Sequence, residues 1–197
     1  IKDYKHDGTE IDLLTGGFPC QDVSLSGKGG GLDGERSGLW NEMFRIIRMV
    51  RPNFVLIENS SALLVRGGVR VLRDLASIGY DAQWQVVTAK EVGASHERKR
   101  LFIVAYPNIF NGKKRMGNIF KRAQTFCKTG TRECFEIWLQ TPRESDRMDD
   151  GVSPQLYSLA TGALGNAIVP PAVVPIMQAI KEIESCPEKN HPPAGRF

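Results

Sequence analysis

The sequence has no long hydrophobic run: nowhere do its 197 residues approach the roughly 20 consecutive apolar residues that cross a bilayer. No signal peptide precedes the first predicted strand. The four cysteines (Cys20, Cys127, Cys134 and Cys186) form no C-x-x-C pair and have no paired histidine spacing, which argues against a zinc site. We therefore expect a reduced, cytoplasmic protein with no metal and no membrane partner.

The chain also carries little net charge, only +4 at pH 7. Apolar residues make up 41% and charged residues 24% of the chain, as in a soluble globular domain with one core. A mildly basic balance permits an acidic partner such as nucleic acid but does not demand one. The chain opens on Ile1 rather than Met and enters a strand almost at once, so we expect a fragment.

Strands and helices alternate through the first two-thirds of the chain. Strands are predicted over 10–16, 53–59, 81–89 and 100–106, and helices over 39–51 and 68–80, ended by Pro52 and Gly79. The alternation predicts βαβ units and a mostly parallel sheet. A last helix is predicted to begin at Pro170 and Pro171.

The alternation breaks over residues 107–155, which are polar and poorly periodic. From Asn111 to Arg132 there are seven Lys or Arg residues and no acid. A solvated loop or small appendage would account for this run, and so would a segment that contacts phosphates. The tail over 186–197 is predicted to be disordered.

Cys20 follows the predicted strand 10–16 and precedes a glycine-rich loop. A free cysteine is commonly buried and inert, because reactivity requires a lowered pKa that a sequence does not show. In open α/β sheets, however, binding sites form at the carboxyl ends of the strands, which is where Cys20 lies. Taken alone, Cys20 leaves both interpretations open.

Three other candidate residues lie beside predicted strands. Glu58 closes an apolar strand, so partial burial should raise the pKa of its carboxyl group, although a helix cap or a structural ion pair would also explain it. Arg98 and Arg100 share one face of an extended segment, although each could be a surface charge. Together a thiol, a protonable carboxyl group and two arginines could attack an electron-poor ring, protonate a ring nitrogen and hold an oxygen.

Four motifs in order resemble those of the DNA (cytosine-5)-methyltransferase family. GFPCQDVSLSGKGGG resembles its catalytic Pro-Cys motif, and IENSSAL its Glu-Asn-Val motif, with Ser60 in place of valine. HERKRLFIVA resembles the Gln-x-Arg-x-Arg motif, with His96 in place of glutamine, and LGNAIVPP the closing Gly-Asn motif. The resemblance covers about residues 10–106 and 160–182. It implies a partial Rossmann-like, S-adenosylmethionine-dependent methyltransferase fold with a small irregular recognition region.

The resemblance also implies a mechanism on double-stranded DNA. Cys20 would add to C6 of a cytosine flipped out of the duplex, while Glu58 contacts N3 and the exocyclic amine. C5 would then take the methyl group of S-adenosylmethionine, and loss of the C5 proton would release the cysteine. Arg100 would contact the flipped nucleotide with support from Arg98, and the loop 22–38 would close over the site.

The resemblance and the basic run over 111–132 together give further candidate contacts. The candidate DNA-binding residues are Gln21, Ser24, Lys113, Lys114, Arg115, Lys121 and Arg122. The candidate cofactor contacts are Pro19, Leu39 and Asn166. The implied organisation is a catalytic core over 1–106, a reduced target-recognition region over 107–158, and a Gly-Asn motif with a returning helix over 159–185.

The family's first strand, with its Phe-x-Gly-x-Gly turn, and the acidic residues that hold the ribose and adenine do not occur in this sequence. In the family sheet that strand lies beside the strand that ends at Cys20. Without it we expect an exposed edge, weak cofactor binding, a tendency to aggregate and the need for a separate N-terminal half.

Two other functions compete with DNA methylation. RNA methylation on the same scaffold is disfavoured because the Cys-Phe-Thr signature of those relatives does not occur in the sequence. A non-catalytic remnant or a DNA-binding subunit is the second alternative, against which the intact Cys20, Glu58 and Arg98 argue. The segment RMDDGVSP (147–154) resembles phage and mobile-element members, so we expect a restriction-modification or phage context in bacteria.

Overall fold

A computed structural model describes residues 2–18, 39–92, 97–108, 117–129 and 170–185. These residues form four strands: β1 (Leu13–Gly17), β2 (Phe54–Ser60), β3 (Tyr80–Thr88) and β4 (Lys99–Pro107). They also form five helices: α1 (Leu39–Val50), α2 (Leu63–Arg66), α3 (Gly68–Ser77), α4 (Ile119–Thr129) and α5 (Pro170–Ser185). The strands and helices predicted from the sequence are therefore present, with ends shifted by a few residues at most.

The four strands form one mixed sheet in the order β1-β2-β4-β3. β1 and β2 are parallel, with Gly17 opposite Glu58, whereas β4 is antiparallel to both β2 and β3. The expectation of a mostly parallel sheet is therefore not confirmed, although β1, β2 and β3 run in one direction. The reason is the short link over 89–98, because a parallel crossover needs about a dozen residues or more.

Helices cover both faces of the sheet, which gives two hydrophobic cores. One core joins α1, α2 and α3 to the sheet, with Trp40 and Ile47 fully buried in it. The other joins α4 and α5 to the opposite face, around Ile119 and Ile176. β2 is buried on both faces, as its continuous apolar run over 54–57 indicates.

Helix α4 lies inside the segment that the sequence presented as polar and poorly periodic. Ile119, Phe120 and Ala123 are buried against the sheet and α5, while basic residues occupy the outer side. Two side chains accept hydrogen bonds from main-chain N–H groups in the first turn of α4. Asn118 Oδ1 accepts from Lys121 N at 3.0 Å, and Gln83 Oε1 accepts from Ile119 N at 2.9 Å. Part of the proposed recognition region thus packs on the core.

Two predicted helix ends are confirmed. α3 is followed by Gly79 in the left-handed region, with φ +78°, which costs glycine little. α1 ends before Pro52, whose carbonyl accepts a 2.5 Å hydrogen bond from the buried Tyr80 hydroxyl. These two ends hold the helices of one face against the sheet.

Within the described ranges no helix is both long and apolar enough to cross a membrane. The same residues contain no group of three or more His, Cys, Asp or Glu side chains that could hold a metal ion. The tail over 186–197, predicted to be disordered, lies outside the described residues.

Candidate active site

Glu58 lies near the carboxyl end of β2, on the face of the sheet that α4 and α5 cover. Its neighbours alternate between the two cores, Leu56 on the α4–α5 side and Ile57 on the α1–α3 side, so Glu58 follows Leu56. It is opposite Gly17 in β1 and Phe102 in β4. Only 19% of its side chain is exposed, so this carboxyl group is largely removed from water.

Arg100 holds the Glu58 carboxyl group from the neighbouring strand. Its Nε lies 2.8 Å from Glu58 Oε1, and its own side chain is 20% exposed. Arg100 is opposite Ser60 in β2, whereas Glu58 is opposite Phe102. Arg100 and Glu58 are therefore diagonal neighbours on the same face of the sheet. The close contact fixes one carboxylate oxygen and leaves the other to face β1.

The pKa of the Glu58 carboxyl group is raised above its ordinary value. Burial is the dominant cause, and the positive charges of Arg100 and Arg98 oppose it without overcoming it. The structure therefore brings together Glu58, Arg98 and Arg100, as the sequence predicted. A carboxyl group that keeps its proton to a higher pH can donate it to a heteroatom of a bound ring.

The end of β1 approaches Glu58 at a glycine. A Cβ added to Gly17 would lie 3.1 Å from the Glu58 main-chain oxygen and 3.3 Å from its Oε2. Gly17 therefore gives the carboxyl group its room over β1. Cys20 follows three positions later in the sequence, and its place lies outside the described residues.

Asn59 connects the same two strand ends on the opposite face. Its side chain is buried, and its Nδ2 donates to the Phe18 main-chain oxygen at 3.1 Å. Its Oδ1 accepts from Ser60 N at 2.8 Å. Sequence reasoning did not assign a role to Asn59 or Gly17, although an amide inside an apolar strand is the kind of signal that identifies such a residue.

Phe18, just before the Pro19–Cys20 pair, packs into the α1–α3 core. Its ring lies 5.5 Å from that of Trp40, and Trp40 Nε1 donates to Asp74 Oδ2 at 2.7 Å. Leu39, a predicted cofactor contact, begins α1 and is half-buried against this core. Phe18, Trp40 and Leu39 thus form one apolar cluster at the start of α1.

The two described candidates for DNA contact lie on α4. Lys121 is exposed, and Arg122 is half-exposed with its NH1 3.9 Å from Glu182 of α5. The other predicted contacts fall outside the described residues, namely Pro19, Gln21, Ser24, Lys113, Lys114, Arg115 and Asn166. Both α4 residues stand on a helix that is packed against the sheet.

The fold and site define an α/β protein with an acid near the carboxyl end of β2 and two arginines at the start of the neighbouring strand β4. A family model described as the C-5 cytosine-specific DNA methylase matches residues 1–150. The chain belongs to this family.

Curated relatives are named as methyltransferases. The chain is 33% identical over 127 residues to the Type II methyltransferase M.Sau3AI of Staphylococcus aureus, covering 59% of this chain and 31% of that protein. It is 36% identical over 118 residues to the orphan methyltransferase M.SssI of Spiroplasma monobiae, covering 54% and 31%. The chain thus spans about a third of the length of these relatives.

Solved structures match more distantly. The methyltransferase EhMeth of Entamoeba histolytica aligns with a TM-score of 0.43 and 17% identity, over 51% of this chain and 33% of that one. The Dnmt2 methyltransferase of S. pombe aligns with a TM-score of 0.39 and 20% identity, over 50% and 29%. These partial alignments carry no argument about function.

Proposed function

We propose that the protein to which this chain belongs transfers a methyl group to C5 of cytosine in double-stranded DNA. One observation carries the proposal: the Glu58 carboxyl group is buried, its pKa is raised, and Arg100 holds it at 2.8 Å. It stands opposite Gly17, three positions before Cys20 in a chain of the cytosine C5 family. Addition to a cytosine ring needs a proton donor and a thiolate, which Glu58 and Cys20 would supply.

In the proposed reaction the Cys20 thiolate forms a bond to C6 of the flipped cytosine. The electrons of the C5–C6 double bond move toward N3, where the Glu58 carboxyl group supplies a proton or a hydrogen bond. C5 is then nucleophilic and takes a methyl group from a sulfonium sulfur, which would leave as a thioether, and the N3 proton returns to Glu58. Removal of the C5 proton restores the double bond and expels Cys20, so the thiolate is regenerated.

S-adenosylmethionine would supply the methyl group when bound. In the described residues only Leu39 is placed to contact it, as an apolar wall beside Phe18 and Trp40. Pro19 and Asn166 remain proposed contacts by family resemblance. The groups that hold the ribose and the methionine part would come from outside this chain.

A cofactor-binding half would join the sheet at β1. Within the described residues β1 pairs only with β2, so its other edge is open. An apolar groove of about 500 Å³ lies along this edge, lined by Leu13, Leu14, Ile46 and Val50 with Tyr4 and Ile11 of the N-terminal segment. A strand from the missing half would cover both the groove and the unpaired backbone groups.

Basic residues would hold the DNA backbone while the base is flipped. Lys121 is exposed and available for a phosphate contact, whereas Arg122 also neutralises Glu182. We place the reaction in the cytoplasm of a bacterium or a phage-infected cell, within a restriction-modification or mobile-element system. The Type II names of the curated relatives support that context.

The test supplies the missing half. The N-terminal segment of M.Sau3AI is fused ahead of this chain, and the incorporation of labelled methyl groups into cytosine-containing DNA is measured. We expect methyl transfer by the fusion and none by its Cys20→Ser variant. DNA binding by the fusion with no transfer would instead support the alternative, a DNA-binding subunit or a catalytically inactive remnant.

A further inference from the structure

Asn59 is the one buried polar residue among those that the structure describes, with 3% of its surface exposed. The other buried residues of β2, over 54–57, are apolar. Burying an amide costs free energy unless its polar atoms are paired, and an apolar side chain would avoid that cost. The pairing that Asn59 makes therefore requires an explanation.

Both the oxygen and the nitrogen of the Asn59 side-chain amide have a hydrogen-bond partner, and the two hydrogen bonds do different things. Ser60 N donates to Oδ1 at 2.8 Å, which fixes the orientation of the amide plane. Nδ2 then points to the Phe18 carbonyl oxygen at 3.1 Å, beyond the last residue of β1. The residue after Phe18 is Pro19, which has no N–H group and cannot extend the strand ladder.

The amide therefore links β2 to the chain that enters Cys20. Asn59 follows Glu58 directly, so the acid lies on one face of the strand and the link on the other. Packing of Phe18 against Trp40, at 5.5 Å between ring centroids, secures the same point from the core.

We infer that Asn59 is a positioning residue, which holds the main chain at Phe18, two positions before Cys20 in the sequence, against the strand that carries Glu58. This inference rests on the proposed function, in which Cys20 and Glu58 must meet one cytosine ring. A displacement of about 1 Å between reacting groups can slow a reaction about 10²-fold. Loss of the hydrogen bond to Phe18 should therefore slow formation of the bond between Cys20 and C6 without weakening DNA binding.

The experiment measures covalent trapping on DNA that contains 5-fluorocytosine, with the M.Sau3AI fusion and S-adenosylmethionine. Asn59→Ala should trap about 10²-fold more slowly than the parent while its DNA affinity stays within twofold. Asn53→Ala is the matched control, because Asn53 stands just before the same strand and makes an exposed 3.0 Å hydrogen bond to Asp12. It should trap at the parent rate.

Asn59→Asp provides a second readout that does not depend on folding of the alanine variant. A protonated Asp side chain can donate to the Phe18 oxygen, whereas an ionised one cannot, and burial raises its pKa. The ratio of its trapping rate to that of the parent should therefore rise as the pH is lowered. The thermal midpoint of Asn59→Asp is followed over the same pH range, because a general structural defect would make the ratio track only the folded fraction.

The outcomes separate the two claims. If the parent fusion does not trap, the proposed function fails. If the parent traps but Asn59→Ala traps equally fast, or loses DNA affinity to the same extent as trapping, or if the Asn59→Asp ratio is flat with pH, the inference about Asn59 is overturned.

Discussion

Gly17→Ala should damage the site through a single added methyl group. The new Cβ would lie 3.1 Å from the Glu58 carbonyl oxygen and 3.3 Å from Oε2, closer than ordinary van der Waals contact. The Glu58 carbonyl oxygen belongs to the main chain of β2, a central strand. The Glu58 side chain is held as well, because its Oε1 lies 2.8 Å from Arg100 Nε. Either β1 moves away from β2, or the carboxyl group leaves Arg100.

Overpacking of this kind costs about 1–3 kcal/mol in folding free energy, partly offset by about 0.4–1 kcal/mol because alanine restricts the unfolded chain. We expect a net loss of about 1–2 kcal/mol, measured as a lower urea midpoint of the M.Sau3AI fusion. Displacement of the carboxyl group should slow trapping on 5-fluorocytosine DNA about 10²-fold.

Gly16→Ala is the matched control in the neighbouring position. Its Cβ would lie 3.0 Å from Met43 Cε, the end of a flexible side chain that can turn away. Stability should change by less than about 1 kcal/mol, and trapping should stay near the parent rate. The reasoning is refuted if Gly17→Ala traps at the parent rate, or if Gly16→Ala slows trapping as much as Gly17→Ala does.

Three further predictions follow from charges and hydrogen bonds. Glu58→Gln should abolish methyl transfer. Because the pKa of Glu58 is raised in the folded protein, its ionisation destabilises the fold. The variant should therefore gain stability relative to the parent as the pH rises above the ordinary carboxyl pKa. Lys121→Ala should lower the salt dependence of DNA binding by about one phosphate contact, whereas Lys90→Ala should not. Tyr80→Phe should lose the hydrogen bond to Pro52 and about 1 kcal/mol of stability.

Each of these has a direct measurement. Thermal midpoints across pH test Glu58→Gln, and a difference from the parent that stays constant or shrinks as the pH rises would contradict the sign. Binding titrations at several salt concentrations test Lys121→Ala, and an unchanged slope would remove Lys121 from the interface. Burial raises the pKa of Tyr80 to about 12, so the stability that the neutral Tyr80 side chain contributes should be lost between about pH 10 and 12. An ultraviolet titration in which no tyrosine has a pKa near 12 would contradict this prediction.

The local patterns of the sequence predicted the elements that carry the acid and the arginines. The apolar run before Glu58 indicated a buried strand, and its burial indicated a raised pKa, which the structure shows. Residues 98 and 100 were expected to share a face, and both arginines act on the Glu58 charge. These inferences succeeded because each depends on neighbours within one short segment.

Features that depend on distant pairing were not predicted. The reversed direction of β4 follows from the short link that precedes it, and the periodicity of α4 is interrupted by the basic residues beside Ile119 and Phe120. The contacts of Gly17 with Glu58, and of Asn59 with Phe18, join residues 41 positions apart. A single sequence does not show which residues a strand pairing will bring together.

The proposed adduct between Cys20 and C6 of cytosine can be tested most directly by identifying the trapped residue. The covalent complex of the fusion with 5-fluorocytosine DNA would be digested, and the peptide that carries the nucleotide sequenced by mass spectrometry. The account predicts attachment at Cys20 and no complex with Cys20→Ser. Attachment at Cys127, Cys134 or Cys186, or trapping that survives Cys20→Ser, would contradict it.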